Sequence, residues 1–270
     1  MTTAAITLFI LCFCYCFASQ SLAADRPPAK IAIIIDDLGY KLAEGKRAIN
    51  LANQVTLSII PFSPYAKKLA RFASANHKEV LLHAPMTPMT RRPWESGLTS
   101  QMSKQELFIA IDAMLAEVPD AKGLNNHGGS RFTQDRERMV WLMMALKDRG
   151  LFFIDSRTTA ATTGTETAHE TNIPYNSRDV FLDNELNEEA IVRQLDKLIS
   201  IAVKNGQAIA IGHPHRETLN VLETYLPLLH EQGVEMVNAS MLLKNLPAQN
   251  ETIPVEVSTP ATLALKPEAE

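Results

Sequence analysis

Short apolar runs of strand length alternate with helical segments along most of the chain, and this alternation constrains the fold most strongly. Eight runs have the length and apolar content of buried strands: 31–35, 55–60, 80–82, 121–125, 151–154, 180–182, 208–211 and 234–237. Segments with helical spacing of apolar residues lie between them, at 41–51, 64–75, 103–119, 134–147, 187–204 and 217–232. Such alternation predicts right-handed βαβ units and a parallel sheet. Two architectures fit, a distorted (β/α) barrel of seven or eight strands and an open doubly wound sheet.

One helix start carries a specific signal. Ser103 directly precedes a helical segment, and Glu106 follows three residues later. This spacing is typical of a capping box, in which each side chain accepts a hydrogen bond from the backbone N–H of the other residue. We therefore expect the helix to begin immediately after Ser103.

The two ends of the chain differ in composition from the rest. Residues 1–24 carry no charged side chain, and the apolar run 6–17 precedes the small residues Ser21 and Ala23, which predicts a signal peptide over 1–23. We expect a periplasmic or secreted protein without stable membrane insertion after cleavage, since the run is short for a span. An uncleaved N-terminal anchor is the alternative. Residues 24–29 are expected to form a linker, 30–246 the folded domain, and 247–270 a disordered tail.

Several classes of function have no support in the sequence. Cys12, Cys14 and Cys16 are the three cysteines of the chain, so the mature protein lacks thiolate ligands, thiol nucleophiles and disulfides. The net charge is −4 without a basic cluster, which argues against nucleic-acid binding. The sequence contains neither a Walker A motif nor Gly-x-Gly-x-x-Gly, so no nucleotide is expected. It also lacks the His-Glu-x-x-His motif of zinc proteases and the Gly-x-Ser-x-Gly motif of serine hydrolases.

Polar side chains that suit metal binding or acid–base chemistry accompany six predicted strands. They are Asp36 and Asp37, His83, Asn125 to His127, Asp155 and Ser156, Arg178 with Asp183, and His213 with His215. Each alone is also typical of a turn or a helix cap. The carboxyl ends of parallel strands share one face, however, and convergence from six strands favours the closed barrel. Imidazole and carboxylate without thiolate predict one divalent metal ion, with zinc as the first candidate.

Six segments together resemble the divergent polysaccharide deacetylases, a branch of the NodB-like carbohydrate esterase superfamily. They are Ile-Ile-Asp-Asp-Leu-Gly (34–39), Leu-Leu-His-Ala-Pro-Met (81–86), Gly-Leu-Asn-Asn-His-Gly-Gly-Ser (123–130), Phe-Ile-Asp-Ser (153–156), Val-Phe-Leu-Asp (180–183) and Ala-Ile-Gly-His-Pro-His (210–215). The resemblance covers roughly residues 30–245. It implies a distorted (β/α) barrel and metal-dependent removal of acetyl groups from a polysaccharide.

The resemblance also implies roles for individual residues. Asp36 corresponds to the general base, Asp37 to a metal ligand and His213 to the general acid. The main family takes its other ligands from His-[Ser/Thr]-x-x-His, whereas Arg131 stands four residues after His127 here. His83 and His127 are therefore predicted to be the metal histidines. Substrate-binding or orienting roles are expected for the remaining candidates, namely Asn126, Ser130, Asp155, Arg178 and His215.

Two alternatives to an exported deacetylase remain open. The departure from the histidine motif favours a catalytically inactive barrel that binds cell-wall glycan or a periplasmic partner. A metal-dependent hydrolase of phosphoesters is the other. Phosphate sites usually gather Arg or Lys at the strand ends, and the arginines near the predicted strand ends are only Arg131, Arg157, Arg178 and Arg216.

Overall fold

A computed structural model describes residues 27–245, apart from residues 53, 91–93 and 95. The predicted signal peptide (1–23) and tail (247–270) lie outside the described residues. Among the helices described, none is both long enough and apolar enough to cross a bilayer.

Nine strands form one sheet in the described part of the chain: β1 (Ala29–Leu38), β2 (Thr56–Ile59), β3 (Val80–Met86), β4 (Gly123–Gly128), β5 (Phe152–Asp155), β6 (Tyr175–Ser177), β7 (Val180–Phe181), β8 (Gln207–Gly212) and β9 (Val234–Met236). All eight predicted strands are present, and β6 is an addition. The predicted ends of three strands were wrong, because β1, β3 and β4 continue through Asp36, His83 and His127. Backbone ladder bonds do not depend on whether a side chain is polar, so the apolar run underestimates the strand.

Among the described residues, seven α-helices connect the strands: α1 (Leu42–Ile49), α2 (Ala66–Ala75), α3 (Lys104–Glu117), α4 (Arg136–Lys147), α5 (Gly164–Glu170), α6 (Glu188–Asn205) and α7 (Arg216–Tyr225). Six correspond to predicted helices. The segment of α5 gave no clear helical pattern, because a seven-residue helix rich in Thr, Gly and Glu has little apolar periodicity. The last predicted helix ends early, and a 3₁₀ helix (Leu226–Gln232) with Pro227 in its first turn follows it.

The sheet is parallel and curls into the predicted distorted barrel. Its strand order is β6-β5-β4-β3-β2-β1-β8-β7, and β9 pairs with the start of β1. The two edge strands are neighbours in sequence, separated only by Arg178 and Asp179. These two residues bridge the seam, since the Arg178 N–H donates to Asp155 O at 3.0 Å and the Asp179 N–H donates to Ile209 O at 2.8 Å.

Alternate residues of each strand face opposite sides of the sheet. One apolar cluster includes Ile31, Ile33 and Ile35 of β1 and joins the sheet to the helices. A smaller cluster includes Ala32 and Ile34 and contains no α-helical residue, so it fills the barrel interior. Residues in step with this inner cluster therefore face the interior, and those at the carboxyl ends of the strands lie above it.

The capping box of α3 is confirmed. The Glu106 N–H donates to Ser103 Oγ at 3.3 Å, and the Ser103 N–H donates to Glu106 Oε2 at 2.8 Å. We expect Ser103→Ala to lower the free energy of unfolding by about 1 kcal/mol, since it leaves helix-terminal N–H groups without an acceptor. Urea denaturation measures this loss.

Ser200→Ala, on the exposed side of α6, is a matched control that should change the free energy of unfolding by less than about 0.5 kcal/mol. Equal unfolding free energies for the two variants would contradict a stabilising cap.

Candidate metal centre

Strand alternation brings the sequence-predicted residues of several strands to the top of the barrel interior. Asp36 follows Ala32 and Ile34 at two-residue steps, and His83 follows Leu81. His213 follows Ile209 and Ile211 in the same way. On β4, His127 lies two residues from Asn125 and on the face opposite Leu124, which belongs to the helix-facing cluster.

Asp37 reaches the same point because β1 is irregular there. Ile35 pairs with Leu57 but Leu38 pairs with Ile59, so β1 carries one extra residue in this stretch. Asp37 adopts a left-handed backbone with φ 58°, which Asp tolerates better than most residues. A bulge of this kind redirects a side chain, and here two consecutive carboxylates both face the cluster.

Three potential ligand atoms converge at this position. Asp37 Oδ1 lies 2.8 Å from His127 Nδ1 and 3.2 Å from His83 Nε2. The two ring nitrogens lie 3.2 Å from each other. Protein zinc ligands at about 2.0–2.1 Å in tetrahedral geometry are separated by roughly 3.3 Å, so the triangle has the size of one face of such a site.

Burial and charge also suit a cation here. Asp37 Oδ1 is buried, and no described group donates a well-oriented hydrogen bond to it. Burial disfavours the charged carboxyl, but the imidazoles of His127 and His83 outweigh it and hold the pKa of Asp37 well below its usual range. Burial also disfavours a charged His83, but Asp36 and Asp37 outweigh it and raise its pKa. The residues therefore fit a divalent ion that would displace the proton from His83 Nε2.

The partly buried His213 and the buried Asp183 form a pair beside these ligands. His213 Nδ1 lies 3.0 Å from Asp183 Oδ1, and Asp183 Oδ2 accepts from the His213 N–H at 2.6 Å and from Thr218 Oγ1 at 2.8 Å. His213 Nε2 points the other way and lies 3.8 Å from Asp37 Oδ2. Burial opposes the charged ring, but Asp183, Asp36 and Asp37 outweigh it and raise the pKa of His213 to about 9. His213 thus holds a proton at neutral pH on the side facing the cluster.

A second group of potential ligands contains Asp183, His213 and His215, with one donor atom from each within 4.8 Å of the others. Its carboxylate oxygens already accept hydrogen bonds, unlike Asp37 Oδ1. His215 is exposed, with its ring 5.9 Å from that of His213. The Asp37 group is therefore the better candidate for a metal.

Two predicted orienting residues lie on the opposite face of their strands. Asp155 is in step with Phe153, which faces the helices, and it accepts from Thr162 Oγ1 and from the Arg157 N–H, both at 2.8 Å. Asn126 is in step with Leu124; it donates to Gly128 O at 2.8 Å and accepts from the Ser156 N–H at 2.9 Å. Strand alternation therefore directs both side chains into the loops that support the centre, and their substrate-binding or orienting roles stay predictions.

Ser130 and Arg178 also bind backbone groups. Ser130 Oγ accepts from the Met89 N–H at 2.9 Å. The Arg178 guanidinium donates to the carbonyl oxygens of Ser156 at 2.8 Å and Arg157 at 3.0 Å. Both side chains connect loops around the centre, which agrees with an orienting role and not with direct contact to the three ligands.

Three further side chains complete the surroundings of the ligands. Asn125 and Ser58 are buried below the ligands, and the ring of Trp94 lies 4.7 Å from that of His127. Asn125 and His127 are two residues apart on β4, so both face the barrel interior. The alternation of side chains along β4 was therefore the signal that could have assigned Asn125 to the site. A cavity opens beside Asp37 and His213, and its lining also includes Tyr40, Lys41, Glu44 and His215.

Comparison with known proteins gives a consistent family. The model of the family described as divergent polysaccharide deacetylase matches residues 33–243. The uncharacterized Escherichia coli K12 protein YibQ is 36% identical over 238 residues, which cover 88% of this chain and 74% of YibQ.

Solved structures support the same fold. The uncharacterized protein ATU2773 from Agrobacterium tumefaciens C58 superposes with a TM-score of 0.77 at 26% identity, covering 81% of this chain and 91% of that one. The catalytic domain of a peptidoglycan N-acetylglucosamine deacetylase from Eubacterium rectale superposes with a TM-score of 0.52 at 16% identity, covering 81% and 94%. The second likeness concerns the fold alone.

Proposed function

Because the chain belongs to the divergent polysaccharide deacetylase family, we propose that it is an exported, metal-dependent hydrolase that removes acetyl groups from an envelope or extracellular polysaccharide. The observation that carries this proposal is the convergence of Asp37, His83 and His127, with ligand atoms 2.8–3.2 Å apart, between Asp36 and His213. Membership of a family described as divergent polysaccharide deacetylase supports a glycan as the substrate.

Asp37, His83 and His127 would hold the metal, and their imidazole and carboxylate donors suit zinc. When bound, the ion supplies Lewis acidity at the acetyl carbonyl. Asp36 Oδ2 lies 3.5 Å from His83 Nε2 at the edge of the ligands and is placed to accept a proton from the attacking water. His213 Nε2, protonated at neutral pH, is placed to donate a proton to the departing amine or alkoxide. Water adds to the carbonyl carbon, the C–N or C–O bond breaks, and acetate leaves.

The structure offers less support for a phosphoester hydrolase. Such a site needs guanidinium groups directed toward the centre. The guanidinium of Arg178 binds two backbone carbonyls, and that of Arg216 pairs with Glu217 at 2.9 Å. Neither is available to hold a phosphate above Asp37.

Metal content and acetate release test the proposal together. We expect chelator-free protein to hold about one equivalent of zinc or a similar ion, and to release acetate from an N-acetylglucosamine tetramer or an O-acetylated xylan. Removal of the metal should stop release, and added zinc should restore it. A protein that takes up none of zinc, nickel, cobalt or manganese would instead support the inactive glycan-binding barrel.

Export rests on the apolar segment 6–17 and the small residues that follow it. We expect the full-length protein to be recovered from the periplasm or medium with a mature N-terminus at Ala24. Recovery of the intact N-terminus in the membrane fraction would support the uncleaved anchor.

A further inference from the structure

The amide of Asn125 connects a metal-ligand candidate to the proposed base. Its side chain is fully buried. Asn125 Nδ2 donates to Asp36 Oδ1 at 2.8 Å and to Ser156 Oγ at 3.2 Å. Asn125 Oδ1 lies 2.9 Å from His83 Nδ1 and accepts from Ser58 Oγ. Two donated and two accepted hydrogen bonds use the full capacity of the amide.

The chemistry of the partners determines which way the amide faces. Asp36 Oδ1 accepts from Asn125 Nδ2 and the Ser58 hydroxyl donates to Asn125 Oδ1, so the NH₂ group is on the side of Asp36. The amide oxygen then faces His83, and an oxygen can only accept, so His83 Nδ1 must carry a proton. In the neutral ring this leaves the lone pair on Nε2, the atom that lies 3.2 Å from both Asp37 Oδ1 and His127 Nδ1.

We propose that Asn125 is a positioning residue that sets two functional groups at once. Through its oxygen it fixes the tautomer of His83, so that Nε2 is the metal-binding atom. Through its NH₂ group it holds Asp36 Oδ1, which leaves Asp36 Oδ2 at the ligand cluster as the proton acceptor. The inference rests on the proposed function for the second role but not for the first.

Two substitutions separate these roles from a purely structural one. In Asn125→Asp, the carboxylate still accepts from His83 Nδ1, but it does not donate as an amide to Asp36. The new carboxylate oxygen beside Asp36 Oδ1 has no hydrogen to donate and repels that oxygen, so Asp36 is no longer held with Oδ2 at the ligand cluster. We expect zinc affinity within about threefold of the unsubstituted protein, because the acceptor for His83 is kept. We expect acetate release to fall about 100-fold or more, because the hydrogen bond that holds Asp36 is lost.

Asn125→Leu removes both interactions in a side chain of similar size. Supporting hydrogen bonds to a metal histidine typically contribute 10- to 100-fold in affinity, so we expect zinc affinity to fall by about that factor and acetate release to fall with it. Ser58→Ala is the matched control, because it removes a hydrogen bond to the same amide without contacting Asp36 or His83. It should leave zinc affinity and turnover within about threefold.

The measurements are zinc affinity by chelator competition, acetate release, thermal unfolding, and the histidine ¹⁵N spectrum of metal-free protein at a pH where His83 is neutral. The spectrum should show His83 protonated at Nδ1, and this tautomer should persist in Asn125→Asp. An Nε2-protonated His83, unchanged turnover in Asn125→Asp, or zinc affinity that follows thermal stability across all three variants would overturn the proposal. If tautomer and affinity behave as expected but no glycan is deacetylated, the proposed function fails while the role toward His83 stands.

Discussion

Asp37→Asn is expected to lower zinc affinity by about 100-fold or more, because a direct ligand should contribute at least as much as the supporting groups around it. Asp37 Oδ1 lies 2.8 Å from His127 Nδ1 and 3.2 Å from His83 Nε2. The substitution removes the negative charge that offsets the cation and keeps the size of the side chain. Acetate release should fall by at least the same factor, since the Lewis acid is lost. Chelator competition and acetate assays on the purified protein measure both effects.

The asparagine variant tests the ligand without disturbing the backbone. Asp37 has φ 58°, a conformation that Asn also tolerates, whereas Ala at such a position costs on the order of 1 kcal/mol or more. Asp37→Ala should abolish metal binding and turnover as well, but it combines the two effects.

Asp120 provides the matched control for Asp37→Asn. It is an exposed Asp with φ 65°, and it lies before β4, at the opposite end of that strand from His127. Asp120→Asn should leave zinc affinity, turnover and thermal unfolding unchanged. One equivalent of zinc and undiminished turnover in Asp37→Asn would show that the metal lies elsewhere.

The sequence predicts the barrel well because its signal repeats along the chain. Each of the predicted strands has its own apolar run, and the regular alternation of these runs with helical segments supports the same fold at several places in the chain. β6 was not predicted, because its three residues, Tyr175 to Ser177, are too few to show an apolar pattern. Their strand conformation depends on the ladder with β5, which is a long-range interaction.

The candidate site is predictable to the extent that it follows strand alternation. Asp36, His83 and His213 lie at even steps from inner-cluster residues, and the same count places Asp155 on the outer face. Which face of the strand a residue lies on therefore predicts its place in the site better than its position at a strand end does. The direction of Asp37 follows no such count, because it depends on the extra residue in β1 and on a left-handed backbone. The extra residue is visible only in the pairing of β1 with β2, a contact between strands that are separated in sequence.

His213 is expected to act as the general acid, because the Asp183 carboxylate at Nδ1 counteracts burial and favours the protonated ring. His213→Ala should reduce acetate release by about 10²- to 10⁴-fold, while zinc affinity stays nearly unchanged because the ring is not one of the three ligands. His230→Ala, an exposed histidine in the 3₁₀ helix after α7, is the control and should retain full activity. Zinc loss in His213→Ala would instead place this ring among the ligands.

A substitution of Asp183 provides a second test of whether the protonated His213 ring is the general acid. Asp183 lies on the side of the ring away from Asp37, so its effect on His213 remains when a cation neutralises Asp37. Asp183→Asn removes the charged acceptor at Nδ1, so the pKa of His213 should fall and the alkaline limit of kcat/KM should move to lower pH. An unmoved alkaline limit would exclude His213 as the titrating acid.

The same pair gives a stability effect with a defined sign. Folding raises the pKa of His213 from 6.5 to about 9 and lowers that of Asp183, whose usual value is 3.8. A raised histidine pKa stabilises the fold fully below its unfolded value and loses this effect as pH rises through about 9. The lowered pKa of Asp183 stabilises the fold at pH values above the pKa of this carboxyl in the unfolded chain. Asp183→Asn should therefore destabilise the protein most near pH 5–6, with a smaller difference above pH 9, as urea denaturation across this range would measure.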